Sequence, residues 1–118
     1  MKNLNIEKFT AQLLKNFTEF VDEMEPDDLQ PYMLFGDFAI YIRNLIDNGS
    51  YNEVELNKIF TFLNEMGECH DEDVHNLLTV GILEIIIDSN KATMLAKQNL
   101  KGEALKDLNL SHKFWYDK

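Results

Sequence analysis

The chain has 118 residues, 45% of them hydrophobic, with eight Phe, four Tyr and one Trp, and a formal net charge of −10 at neutral pH. That length suits a single domain, residues 1–118, and the apolar content is enough to fill one core, which excludes a disordered chain. So negative a chain would be repelled by double-stranded nucleic acid and anionic membranes, and its lone cysteine, Cys69, excludes an internal disulfide.

The helical period opens the chain. Ile6, Phe9, Leu13, Leu14, Phe17, Phe20, Val21 and Met24 recur at three and four, with charges between them, which predicts a first helix over 5–24 ended by Pro26. Leu34, Phe35, Phe38, Ile42, Leu45 and Ile46 predict a second over 31–47, stopped at Asn48-Gly49. A third, capped by Ser50 or Asn52, buries Val54, Leu56, Ile59, Phe60, Leu63 and Met66 and ends at Gly67. Asp71 is the expected N-cap of a fourth helix through Val74, Leu77, Leu78, Ile82, Ile85 and Ile86. Gly81 within its stripe implies close approach of a neighbouring helix. Beyond Asn90 the pattern weakens to a short fifth helix around Met94, Leu95 and Leu100, then a final turn or two. Phe114, Trp115 and Tyr116 are expected to dock on the bundle or on a partner. The fold class is therefore all-α, an up-and-down bundle of about five to six helices.

Charge is unevenly divided. Residues 1–90 hold 18 acids against 5 Lys and Arg, whereas residues 91–118 hold 6 Lys against 3 acids. Two acidic runs contain no cation: Glu19, Asp22, Glu23, Glu25, Asp27 and Asp28, then Glu65, Glu68, Asp71, Glu72 and Asp73. Acids that open a helix stabilise its positive N-terminus, which accounts for Asp27, Asp28, Asp71, Glu72 and Asp73. The same preference disfavours acids near helix C-termini, so Glu19, Asp22, Glu23, Glu65 and Glu68 call for another reason. If consecutive helices alternate up and down, both runs fall at one end and form a single acidic surface, the expected partner-binding site. The alternative is a solvated coat.

No catalytic motif accompanies these acids. Cys69, His70, Asp71 and His75 fall short of a zinc site, which needs four ligands at characteristic spacing, and no third group orients Cys69 as a nucleophile. Counted from Asp71, a calcium loop would require Gly at Asn76 and Glu at Ile82. Catalytic residues, metal ligands and cofactors are expected to be none. Lys91, Lys97, Lys101 and Lys106 read as an intramolecular counterpart to the acidic part.

The segment 59–84, with Val74, Asn76 and Leu77 followed by Gly81, Leu83 and Glu84, resembles small all-helical bacterial immunity proteins. The resemblance implies an antidote to a cognate toxin domain, with a basic nuclease as the expected toxin, neutralised by occlusion of its active site. An acidic antidote would gain association rate by electrostatic steering. No direct nucleic-acid or membrane partner is expected. The cytoplasm is the expected location, since no signal-peptide pattern is present and no apolar run approaches the ~20 residues of a membrane span. The rival reading is a cytoplasmic regulatory or adaptor protein with a basic or helical protein partner.

Overall fold

Six aromatic rings organise the interior. In the computed structural model, which describes residues 3–24 and 30–116, Phe62 lies 6.0 Å from Phe9, 5.5 Å from Phe17, 6.2 Å from Phe35 and 6.0 Å from Phe38. Phe20 joins them 5.2 Å from Phe38. Burying each ring contributes about 1.5–3 kcal/mol, with about 0.5–1.5 kcal/mol more for each favourable ring pair.

The helices holding these rings are α1 (Leu4–Asn16), α2 (Thr18–Glu23), α3 (Pro31–Asp47) and α4 (Glu53–Glu68). They are followed by α5 (Glu72–Leu78), a π-helical turn (Thr79–Leu83), α6 (Glu84–Ile86), α7 (Asn90–Asn99) and α8 (Gly102–Tyr116). Among the described residues there is no strand. One buried cluster draws on every one of these helices, so the fold is an all-α bundle.

Local chemistry accounts for most boundaries. Asn3, Asn52, Asp71 and Ser89 each accept backbone N–H groups at the starts of α1, α4, α5 and α7. Pro31 opens α3, where its missing N–H costs nothing, and Gly49 with φ +68° follows its end. Gly67 does not stop α4, which continues to Glu68. The expected first helix is broken at Phe17, which leaves the α region (φ −118°, ψ 61°). Its N–H still reaches Leu13 and its carbonyl still accepts from Val21, so the break needs neither Pro nor Gly. The departure accompanies a ring seated between Phe38 and Phe62. Two exposures also depart from expectation. Val54 is 76% exposed and Met94 63% exposed, on turns whose apolar stripe is carried by their neighbours.

Helix directions follow from paired contacts. Phe35 meets Phe62 while Tyr41 and Glu55 share a hollow, so α3 and α4 are antiparallel. The π turn and α6 run parallel to α3, with Gly81 beside Tyr32, Asp88 beside Arg43 and Ser89 donating to Asp47. The chain then rises through α7 to Asn99, whose carbonyl accepts from Asn64. It descends again through α8, from Gly102 beside Glu68 to Tyr116 beside Asp88. From α3 onward the order is up-and-down.

The first helices depart from that alternation. Asn3 and Asn5 bond Asp71 beyond the end of α4, Phe9 meets Phe62, and Glu19 shares a hollow with Glu55 near the start of α4. α1 and α2 therefore run antiparallel to α4 and in the same direction as α3.

One close approach fixes the packing. A Cβ on Gly67 would lie 2.7 Å from the Ala104 backbone N and 2.8 Å from its Cβ, so α4 and α8 touch through a residue that must lack a side chain. At Gly81 a Cβ would press on Leu77, one turn earlier, at 3.3 Å and meet Tyr32 of α3 at 3.7 Å, an ordinary contact rather than the close approach of a neighbouring helix expected there. A Cβ on Gly36 would meet nothing nearer than 3.8 Å. Gly67→Ala should accordingly destabilise the fold by about 1–3 kcal/mol, because α4 and α8 must separate. Gly36→Ala should be neutral or stabilising by up to about 1 kcal/mol through helix propensity. Equilibrium denaturation of the two variants checks the contrast, and equal losses would refute it.

Candidate functional site

Among the described residues, the two acidic runs do not meet. Glu19, Asp22 and Glu23 are exposed on α2, beside the N-terminal turns of α4. Glu65 and Glu68 lie near the C-terminus of α4, and Asp71, Glu72 and Asp73 follow it. Glu55 and Glu65 are thus separated by about 15 Å of helix. Glu25, Asp27 and Asp28 lie outside the described residues. The single acidic surface expected from strict alternation is replaced by two, because α1 and α2 run opposite to the direction that alternation assigns them.

The first surface lies where α2, α3 and α4 come together. Glu55 is half-buried, and its carboxyl is pushed up by burial and then by the charge of Glu19, with Lys58 opposing. The Tyr41 hydroxyl is raised to about 12, first by burial and then by Glu55, Glu19 and Glu23. Tyr41 and Glu55, on two helices, thus sense the negative field of α2. Beside them a cleft of about 480 Å³ opens between α2 and α3, with Phe20, Met24, Ile40, Tyr41 and Leu45 on its apolar walls and Glu23 at its rim.

The second surface is more heavily engaged. Asp71 accepts from Asn5 Nδ2 at 2.9 Å and from Asn3 Nδ2 at 3.1 and 3.2 Å, and it caps the backbone of Asp73 and Val74. These bonds, led by Asn5 and then Asn3, hold its carboxyl below the ordinary range. Asp71 therefore joins α1 to α5. Glu68 accepts weakly from the backbone N–H of Glu103 at 3.4 Å, and Lys8 and Lys101 line the same hollow as Glu65 and Glu68. The run is free of cations in sequence, yet the fold brings two to it.

Cys69, His70, Asp71 and His75 are not gathered into one site. Cys69 is half-buried against the core, His70 is exposed and Asp71 is occupied in capping. His75 turns to α8, where its Nε2 lies 2.5 Å from Asp107 Oδ2. Asp107 is buried, and burial raises its carboxyl, with His75 opposing and Glu103 reinforcing the rise. Sequence reading passed over this group because it assigned α8 only a turn or two. Its signal is Glu103 and Asp107 at i and i+4, on one face of that helix.

The terminal aromatics dock through their polar tips. Trp115 Nε1 donates to Glu84 at 3.2 Å and the Tyr116 hydroxyl donates to Asp88 at 2.6 Å, while both rings remain about half exposed.

The fold and its surfaces define an all-α domain with two negatively charged ends. The chain belongs to the DUF7674 family, a domain of unknown function, which matches residues 10–116 and so includes α8. No curated protein and no solved structure is significantly similar to it.

The two buried or bonded carboxylates should give stability–pH effects of opposite sign. Asp71 is lowered on folding, so its contribution is present above the ordinary carboxylate range and lost as pH falls through its lowered value. Asp107 is raised, so its contribution is present at low pH and lost as pH rises through its raised value. Asp71→Ala should lower the melting temperature at neutral pH and remove part of the loss seen below about pH 4. Asp107→Asn should remove part of the loss that sets in above about pH 4. Melting curves across a pH series test both signs.

Proposed function

We propose that this domain is a stoichiometric protein inhibitor whose partner is a basic toxin domain, a nuclease being the toxin that best fits an acidic surface. The reading rests on the segment 59–84, which resembles bacterial immunity proteins, and on the negative field around the α2–α3 cleft. Its partner surface is the α2 end. There, exposed Glu23 borders a cleft with aromatic and aliphatic walls, and Glu19 and Asp22 are exposed on the same helix, the combination of polar rim and aromatic interior that anchors a protein partner. The acids beyond α4 are the weaker candidates, since Asp71 is held by asparagines and Lys8 and Lys101 lie beside Glu65 and Glu68.

Occlusion is the proposed mechanism. Carboxylates of α2 would occupy the groove in which the toxin holds phosphate or substrate, while Phe20, Ile40 or Leu45 contacts an apolar partner residue. Steering by the negative field would raise the association rate. The apolar walls also favour a second reading, in which the occupant is a basic amphipathic helix of a regulatory partner. A toxin encoded by the adjacent gene distinguishes the first reading from the second.

The test is kinetic. The product of the adjacent gene, inactivated at its catalytic site, is bound to wild type, to Glu19→Lys/Glu23→Lys and to Glu65→Lys/Glu68→Lys over a salt series. The α2 pair should slow association by about tenfold or more at low salt, with the effect shrinking as screening rises. The α4 pair should have a smaller effect. Equal effects would reject the α2 end as the contact surface, and absence of binding would reject the toxin partner.

A further inference from the structure

α8 packs along α4 and the π-helical turn, and where it passes α5 three side chains able to ligate a metal come together. His75 comes from α5; Glu103 and Asp107 come from α8, four residues apart and hence on one helix face. One donor atom from each lies within 4.8 Å of the others. Asp107 is only 6% exposed, and its buried Oδ2 has no aligned hydrogen-bond donor, although His75 Nε2 lies 2.5 Å away. A buried carboxylate keeps its charge only when it is paired or coordinated.

We propose that His75, Glu103 and Asp107 bind a divalent transition-metal ion of the zinc class. Charge supports a dication over the imidazole alone. Two carboxylates face one ring, so a protonated His75 would supply one positive charge against two negative ones. Lys106 eases Asp107 at longer range, and Glu103 works against it. A divalent ion matches both carboxylates and leaves the imidazole neutral, the form in which it ligates.

The donor set also selects among ions. One imidazole nitrogen with two carboxylate oxygens suits zinc, cobalt or manganese, whereas calcium and magnesium favour oxygen shells. Metal–donor bonds of about 2.0–2.2 Å in a tetrahedral shell place donors roughly 3.3 Å apart. Binding would therefore open the 2.5 Å contact and draw in Glu103, which is exposed on the first turn of α8. A water molecule would complete the four-coordinate shell. Such an ion would clamp α8 to α5 close to the Gly67–Ala104 contact.

The experiment uses full-length protein stripped with a chelator and titrated separately with Zn2+ and with Co2+. Expected results are saturable binding at one equivalent, visible Co2+ ligand-field bands and a raised melting temperature with Zn2+. His75→Ala and Glu103→Gln should each weaken binding by about tenfold or more, while Cys69→Ser and His70→Ala should leave it unchanged. Glu103→Gln changes an exposed position, so the test does not depend on whether an Asp107 variant folds. Absence of saturable binding overturns the proposal. So does binding that survives both His75→Ala and Glu103→Gln, or binding lost in Cys69→Ser or His70→Ala.

Discussion

The position of Phe62 is the constraint on which the rest of this bundle depends. Rings from α1, the α1–α2 break and α3 all close on it, which requires the first helices to lie along α4. Phe9 meets it from α1 and Phe17 from the break, and the chain descends past Lys58 to Glu55. This course brings Asn3 and Asn5 to Asp71 at one end of α4 and Glu19 to Glu55 at the other. Apolar packing thereby determines which charges become neighbours. Electrostatic terms of a few tenths of a kcal/mol between exposed groups could not have overruled it.

A second consequence follows from the absence of a side chain at Gly67. α8 reaches van der Waals contact with α4 there, which seats Glu103 next to Glu68 and turns Asp107 towards His75. The same descent brings Trp115 to Glu84 and Tyr116 to Asp88. α8 is thus both a cover of the core and a source of polar contacts to α5 and α6. The basic character of residues 91–118 is partly used in this way, since Lys101 lies beside Glu65 and Glu68.

The two acidic ends have different physical characters. Beyond α4, asparagine donors, a capped helix and nearby lysines absorb much of the charge into the fold. Around α2, the charge acts on half-buried groups, raising Tyr41 and Glu55 beside an apolar cleft. Charge left as an outward field next to apolar surface is the arrangement expected of an interface, whereas charge consumed by caps is expected of a scaffold.

By itself the sequence determined the helical class, the bounds of α3 and the Asn52 and Asp71 caps. These depend on local rules: period 3.6, side-chain acceptors at N-caps, and the steric needs of proline and glycine. The break at Phe17 escaped because the apolar stripe continues through it without Pro or Gly, so only the ring packing around Phe38 and Phe62 distinguishes a bent helix from a straight one. The full length of α8 escaped because its apolar positions are sparse and its burial comes from α4 and the π-helical turn. Tertiary structure alone decided the direction of α1 and α2, the division of the acids into two surfaces, and the meeting of His75 with Glu103 and Asp107. Each of these joins residues far apart in the chain, and helical periodicity carries no information about which face of which helix a distant ring or carboxylate will meet.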